Sequence, residues 1–535
     1  MKLVTADHMR TLEQRADASG NAYAQMMERA GKAVADAIRA RGDAREYNVL
    51  VLVGPGNNGG DGLVCARYLR DAGARVALYW WKRVPRADDE NYRRCVERHI
   101  PITRAEDDPG FAALKNLAAE ANVIVDALLG TGVARPIEGI LKDLLAALRA
   151  RLTDRATDLI PLLPLTPPPP RPKIVAVDLP SGLDPDTGAL DPATLAADLT
   201  VTFAFPKIGH LAFPGANTVG ELVVADIGIP SEWADPGLLD VATAREIAAL
   251  LPARLRDAHK GTFGKALLCV GSANYVGAAF LAGNAATRAG AGLVTLALAR
   301  TIYPLIAGAL RETTFVVLPD DAGALTPDAA LVLSNHLADY DALLIGCGFG
   351  RNPQTVAFVH ALLHQIRNQK SEIRNLVIDA DALFALAQAG EWWTRLASNT
   401  AILTPHPGEM ATLTGLTRAQ VQADRVAVAK KFAAQWQQVV VLKGAFTIVA
   451  APDGRTTLLP FATPALATAG TGDVLAGAIV ALLAQHLAPF DAAVAGAYLH
   501  GLAGAIAARE IGTAGVIAGD LLPRLPQAAR ALLSP

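Results

Sequence analysis

Short runs of β-branched and aliphatic residues, each followed by a glycine-rich turn and then by an alanine-, leucine- and arginine-rich stretch of helical periodicity, recur along this whole chain. That alternation predicts parallel α/β layers, because the exit of a parallel strand lies far from the entry of the next and a helix is the compact way back. In the first half the runs fall at residues 48–53, 75–81, 122–125, 174–177, 199–203 and 222–224. In the second half they fall at 266–270, 292–298, 342–345, 376–378, 401–403, 439–442 and 447–449. Two successive sheets of similar size are the simplest reading, and 535 residues give ample length for two or three domains with large cores. Pro230, Pro236 and Gly237 interrupt the periodicity, so domains 1–235 and 236–535 are expected. A proline-rich insertion at about 151–172 and a polar stretch at 368–372 read as surface decoration ahead of strands.

Composition removes several classes of function. Lys plus Arg (49) and Asp plus Glu (51) nearly cancel, so no global field favours nucleic acid or an anionic membrane. Aromatic residues at 5% are too scarce for a base-stacking surface. The longest apolar stretches, such as 474–484, fall short of the ~18 residues that a membrane span requires. The opening residues turn polar after Leu3 and Val4 without an apolar h-region, which predicts no secretory signal and a cytoplasmic location. Cys65, Cys95, Cys269 and Cys347 stand far apart, as expected of reduced, buried thiols rather than a disulfide framework or zinc site.

In the first half the strand at 48–53 runs into Gly54-Pro55-Gly56-Asn57-Asn58-Gly59-Gly60-Asp61-Gly62 and then a helix, a geometry that aims backbone N–H groups at a phosphate. A glycine-rich turn can serve packing alone, but two Asn side chains and an Asp in the same loop are more than packing needs. Two further strand ends carry Asp126-Ala127-Leu128-Leu129-Gly130-Thr131-Gly132 and Asp178-Leu179-Pro180-Ser181-Gly182. Ligands of open parallel sheets sit beyond the carboxyl ends of the strands, so the three loops are expected to converge. Asn58, Asp126 and Ser181 offer hard oxygen atoms suited to an alkali or alkaline-earth ion. Asp178 is a candidate acid or base; the bland alternative is a carboxylate that caps its own turn.

These loops, together with Met26-Met27-Glu28-Arg29-Ala30-Gly31, resemble the NAD(P)H-hydrate epimerase family over roughly residues 1–229. The resemblance implies a Rossmann-like three-layer fold and interconversion of the R and S forms of a hydrated nicotinamide dinucleotide. It implies that Asn57, Asn58, Gly59, Gly60, Asp61 and the segment Gly130, Thr131, Gly132, Val133, Ala134, Arg135, Pro136 bind the dinucleotide. By the same resemblance Asp178 touches the substrate, and Asn58, Asp126 and Ser181 hold a potassium ion.

In the second half Ala278 begins a small-residue helix, and Gly346-Cys347-Gly348-Phe349-Gly350 follows a strand. Thr404-Pro405-His406-Pro407-Gly408-Glu409 places an imidazole and a carboxylate at a strand end, and Lys443-Gly444-Ala445-Phe446-Thr447 joins two short strands. Ala469-Gly470-Thr471-Gly472-Asp473 sets glycines and a carboxylate at a helix start, where N–H groups and the helix dipole stabilise phosphate. Asp379 and Asp381, after the strand at 376–378, read as loop caps in preference to water-mediated metal ligands.

The Gly-Thr-Gly-Asp element is similar to the ribokinase-like superfamily, and together with Thr404–Glu409, Lys443–Thr447 and Lys260–Lys265 it resembles the ADP-dependent NAD(P)H-hydrate dehydratase family over about residues 240–535. The resemblance implies a ribokinase-like three-layer domain that phosphorylates the hydrate hydroxyl of the S form from ADP and eliminates phosphate, leaving AMP. Lys443, Gly444, Ala445, Phe446, Thr447 and Gly472 would bind the nucleotide; Ala278, Gly348, Gly350, His406 and Asp473 would face the hydrate, with Asp473 as base. Magnesium and a homo-oligomer are implied as well. The competing readings are a small-molecule kinase fused to a Rossmann-like binding domain, and a nucleotide sensor without turnover.

Overall fold

The structure is a computed structural model and describes residues 1–84, 89–132, 136–153, 171–368 and 375–533. Val133, Ala134 and Arg135, most of the proline-rich insertion and most of the polar stretch at 368–372 lie outside the described residues. The chain divides into two compact units, Met1–Leu238 and Leu239–Pro535.

The first unit is built on seven strands: β1 (Asn48–Val53), β2 (Arg75–Trp80), β3 (Ile102–Arg104), β4 (Val123–Ala127), β5 (Lys173–Val177), β6 (Leu199–Phe203) and β7 (Glu221–Ala225). Every pairing is parallel and the order is β3-β2-β1-β4-β5-β6-β7, the doubly wound arrangement of Rossmann-like sheets. Alternation along β1 explains the three layers. Val49, Val51 and Val53 enter one core with Val34 and Ile38 of helix α2 (Tyr23–Arg39), while Leu50 and Leu52 enter a second core with Leu114, Leu141 and Leu145 on the opposite face. Helix α1 (Ala6–Ala18) turns Met9, Leu12 and Ala16 to the first of these cores. Helix α2 packs so closely on α3 (Asn57–Asp71) that a Cβ at Gly31 would lie 2.4 Å from the Asp61 carbonyl oxygen, so only glycine fits there.

The second unit carries ten strands in one sheet: β8 (Asp240–Val241), β9 (Lys265–Cys269), β10 (Leu293–Ala299), β11 (Thr314–Leu318), β14 (Ala342–Ile345), β15 (Leu376–Ile378), β16 (Ala401–Leu403), β17 (Val439–Leu442), β18 (Ile448–Ala450) and β19 (Thr456–Leu458). A small hairpin, β12 (Asp320–Asp321) with β13 (Ala324–Leu325), stands apart. The order is β11-β10-β9-β14-β15-β16-β17-β18-β19-β8, parallel from β11 to β17 and antiparallel from β17 through β19. Sequence reading missed β3, β8, β11, β12, β13 and β19. Most are two or three residues long, too short to show a period. It also expected parallel layers throughout, whereas β17–β19 form a meander. The helix Pro489–Ile511 is long and apolar enough to cross a bilayer, yet most of it is buried and it packs on β16, β17 and β18.

All four cysteines are free and fully buried, Cys65 and Cys95 in the first unit and Cys269 and Cys347 in the second. Burial raises every one of these thiols, Cys95 to about 12, so none is a nucleophile at neutral pH.

Candidate active sites

In the first sheet the crossovers run one way from β1 and the other way from β4, so a crevice opens at the carboxyl ends of these two neighbours. A cavity of about 660 Å³ lies there, lined by Asn57, Asn58 and Asp61, by Gly130, Thr131 and Gly132, and by Met9, Glu13 and Tyr23 from α1 and α2. Helix α3 already begins at Asn57, so the asparagines and glycines read as a loop form the first turn of a helix. Gly56 caps it without a side-chain hydrogen bond, which leaves first-turn amides for a ligand. Gly130 is glycine of necessity, since a Cβ there would lie 2.4 Å from Asn58 Oδ1. Pro136 is exposed and does not line the cavity.

Ser181 and Asp126 meet directly, and Asn58 is tied to them through Leu129, whose amide donates to Ser181 Oγ (3.0 Å). Ser181 Oγ donates to Asp126 Oδ1 (2.6 Å), the Ser181 amide to Asp126 Oδ2 (2.9 Å), and Asn58 Nδ2 to the carbonyls of Leu129 (3.0 Å) and Val177 (2.7 Å). Asp126 is fully buried and, among the described residues, pairs with no lysine or arginine; burial raises its carboxyl despite the Ser181 and Leu128 hydrogen bonds. A desolvated carboxylate that lacks a cationic partner among the described residues, with a serine hydroxyl on it and an asparagine amide close by, is a donor set of hard oxygens whose chemistry suits an alkali cation.

Asp178 does not cap its turn. Its Oδ1 receives Lys207 Nζ (2.6 Å) and Thr202 Oγ1 (2.8 Å), and Lys207 Nζ also donates to Thr202 Oγ1 (2.8 Å). Both charged partners are buried, Lys207 to 1% exposure. Burial alone would raise Asp178, but the Lys207 charge and hydrogen bond outweigh it and hold the carboxyl below its usual range. Asp178 sits at φ +65°, a left-handed conformation costly for a non-glycine residue, and His210 Nε2 donates to its carbonyl (2.9 Å). His210 Nδ1 accepts the Lys207 amide (3.1 Å); burial and the lysine charge push the ring down to about 4, which keeps it neutral. Lys207, His210 and Glu13 escaped sequence reading. The available signal for the first two was Pro206-Lys207-Ile208-Gly209-His210 directly after a buried strand.

In the second unit the carboxyl ends of β14, β15, β16 and β17 deliver Cys347, Asp379, Thr404 and Lys443 to one point. Asp379 Oδ1 receives Lys443 Nζ (2.8 Å) and Thr404 Oγ1 (2.6 Å), and Cys347 Sγ approaches Oδ2 (3.4 Å). Asp379 therefore joins the site and makes no side-chain cap, contrary to expectation. Asp381 holds the Gly350 amide (2.8 Å), so it does fix a loop. Glu409 lies 3.7 Å from Lys443. Burial pulls the Lys443 ammonium down, but the Asp379 and Glu409 charges raise it, so it stays cationic.

Asp473 enters from the first turn of the helix Thr471–Ala484, which Gly470 opens at φ +90°. Its carboxyl oxygen, one from Asp379 and Cys347 Sγ lie within 4.8 Å of one another. Burial and the Asp379 charge push Asp473 up to about 6. Gly472 faces the same lysine, since a Cβ there would lie 3.5 Å from Lys443 Nζ. Arg425, missed in the sequence, props the 443–445 turn by donating to the carbonyls of Leu442, Lys443 and Ala445. Phe446 is buried at φ +54°, and Thr447 Oγ1 donates to the Gly444 carbonyl (2.9 Å). Ala278 and Gly348 touch: a Cβ on Gly348 would lie 2.6 Å from that of Ala278. Gly350 lines an adjoining cavity of about 550 Å³ with Ser272, Tyr275 and Arg351. His406 caps the helix Pro407–Thr414, its Nδ1 accepting the Gly408 and Glu409 amides, while its Nε2 lies 3.5 Å from Glu409 Oε1.

A curated relative from Moorella thermoacetica, a bifunctional NAD(P)H-hydrate repair enzyme, is 40% identical over 99% of this chain and 97% of its own. The chain belongs to that repair-enzyme family. The Escherichia coli member of the repair-enzyme family is 34% identical over 97% of this chain and 92% of its own. The family model described as NAD(P)H-hydrate dehydratase matches residues 266–527, and that described as YjeF-related protein N-terminus matches 23–209. Among solved structures, the ADP/ATP-dependent NAD(P)H-hydrate dehydratase of Bacillus subtilis, co-crystallised with ATP and Mg2+, is 31% identical over 55% of this chain and 99% of its own, with a TM-score of 0.45.

Proposed function

We propose that this chain is a two-site repair enzyme for hydrated nicotinamide dinucleotides, with the epimerase in residues 1–235 and the ADP-dependent dehydratase in 236–535. The observation that carries the reading is that each unit has, at the carboxyl end of its own parallel sheet, a buried carboxylate–lysine pair beside an uncapped helix start. In the first site the α3 amides and the Gly130, Thr131 and Gly132 turn hold the dinucleotide, with Val133, Ala134, Arg135 and Pro136 completing the segment. Asp178, kept ionised by Lys207, meets the ring carbon that bears the hydroxyl. Asn58, Asp126 and Ser181 would hold potassium, which supplies the counter-charge that buried Asp126 lacks.

In the second site Lys443, Gly444, Ala445, Phe446, Thr447 and Gly472 take ADP, and the helix-start amides meet the phosphate being transferred. Ala278, Gly348, Gly350 and His406 border the hydrate. Asp473 takes the hydrate hydroxyl proton as that oxygen attacks the β-phosphorus and AMP departs. Loss of the neighbouring ring proton then expels phosphate and restores the reduced ring; hydroxide is a poor leaving group and phosphate a good one. Magnesium supplies charge neutralisation on the phosphates. The cluster of Cys347, Asp379 and Asp473 is a poor cage for it, since Asp379 is paired with Lys443 and a thiol is a soft ligand, so the nucleotide itself is its natural carrier.

The test follows absorbance of reduced nicotinamide when the protein receives mixed R and S NADPH hydrate with ADP, potassium and magnesium. Nearly complete recovery, faster than spontaneous epimerisation allows, is expected. A halt once the S fraction is consumed removes the epimerase, and a stable phosphorylated product with ATP replaces the reading with a kinase. Replacing potassium with sodium should slow epimerisation and spare dehydration of S. The proposal extends to a cytoplasmic homo-oligomer without nucleic-acid or membrane partners, which light scattering and fractionation test.

A further inference from the structure

The first cavity has a second carboxylate that no motif announces. Glu13 lies on α1 one turn after Met9, and both line the cavity together with Arg10 and Gln14. It is half-buried, and among the described residues it makes neither a hydrogen bond nor an ion pair. A carboxylate in that position is an expense for folding alone, because burial without a partner disfavours it. Asp178, by contrast, is not in the lining of the cavity; its Oδ1 is doubly bonded by Lys207 and Thr202, and among the described residues its Oδ2 takes no hydrogen bond.

Interconversion at a ring carbon that carries a hydroxyl beside a ring nitrogen needs two proton-handling groups. One protonates the departing hydroxyl, and the other deprotonates the water that adds to the opposite face. We propose that Glu13, on the cavity wall, is the second catalytic acid–base group of the epimerase, working together with Asp178 at the adjacent end of β5. The inference rests on the epimerase reading given above. With Glu13 protonated and Asp178 ionised, Glu13 gives its proton to the hydroxyl, the C–O bond breaks and water leaves, and the nitrogen lone pair forms a C=N bond. Water then adds to that carbon from the other face, its electron pair forming the new C–O bond while the C=N pair returns to nitrogen, and Asp178 takes the proton. One water leaves and one enters, no electron is gained or lost, and the reverse reaction exchanges the two roles.

The environments of the two carboxyls support this division. Burial raises Glu13; the Lys207 charge opposes that, Asp178 adds to it and Arg10 opposes it again. Lys207 holds Asp178 down against its burial. Two carboxyls in one site pushed to opposite sides of their usual range are a divided acid and base. Asp61, in the same cavity wall, is fully buried and raised well above its usual range by burial and by the charges of Asp178 and Glu13, and Tyr23 also faces Glu13. Asp61 is thus the rival donor that the experiment has to separate.

The experiment measures R-to-S turnover of the full chain with purified R hydrate, alongside dehydration of purified S hydrate by the same preparation. Glu13→Gln should lower epimerase kcat by at least about 100-fold, with KM within about threefold and S dehydration unchanged. Glu13→Asp should recover part of kcat and show an alkaline limb displaced from that of the wild type, which a merely structural role would not produce. Epimerisation in water enriched in oxygen-18 should place the label on the ring carbon. Wild-type kcat in Glu13→Gln, loss of both variants through unfolding of the first unit, product without label, or a kcat loss confined to Asp61→Asn would each overturn the proposal. A wild-type chain that does not interconvert R and S fails the epimerase reading itself, and that outcome is distinct from failure of the Glu13 variants alone.

Discussion

Both units place a carboxylate and a lysine at the carboxyl end of a parallel sheet, yet the carboxylates assigned the central role end in opposite states. In the first unit the lysine pairs with Asp178 itself, and its carboxyl stays below the usual range although fully buried. In the second unit Lys443 pairs with the neighbouring Asp379, and burial together with the Asp379 charge lifts Asp473 to about 6 against the weaker opposing pull of Lys443. Burial acts on both, so a direct lysine hydrogen bond, present at Asp178 and absent at Asp473, separates the two. The first arrangement keeps a fixed negative charge; the second sets a base close to working pH.

The sharpest break of this comparison is Asp473→Asn, expected to lower dehydration of S hydrate by about 10²–10⁴-fold while R-to-S turnover persists. Retained dehydration would remove Asp473 as base. Next in size is Lys207→Met, which strands Asp178 as a buried charge without a partner. It should destabilise the first unit by about 3–5 kcal/mol and abolish epimerisation, read from denaturant unfolding of that unit. An unchanged midpoint would show that Asp178 simply takes up a proton. A smaller effect concerns pH. Asp473 must be ionised to act, so dehydration should fall as pH drops through about 6, and Asp379→Asn, by removing the adjacent negative charge, should move that limb to lower pH. A limb that moves upward would contradict the assigned cause. Smallest is Gly31→Ala, expected to cost about 1–3 kcal/mol by forcing α2 from the Asp61 carbonyl, with epimerisation slowed and dehydration untouched.

The legible part of the molecule was what neighbours along the chain carry. Glycines and polar or charged residues at strand ends, as at Asn57–Asp61, Asp126, Asp178 and Lys443, or at a glycine-flanked helix start, as at Asp473, announce sites because the turn and the ligand group lie within a few residues. Pairings over distance were not legible. Lys207 finds Asp178 across 29 residues and Lys443 finds Asp379 across 64, so Asp379 looked like a local cap until β15 and β17 were set beside β16. Glu13 was invisible for the same reason, because an acidic residue on an amphipathic helix usually marks its solvent face. The edge strands failed for another cause: two- and three-residue segments such as β3 and β8 are strands by virtue of their partners and carry little pattern of their own.

The distribution of thiols has a practical consequence. Two sealed cysteines sit in each unit, and an alkylating reagent reaches them only when the surrounding core opens. The mass gained by peptides around Cys65 and Cys95, compared with those around Cys269 and Cys347, gives two opening rates from a single tube. The chain thus carries its own pair of clocks, one for each half, without any label being added.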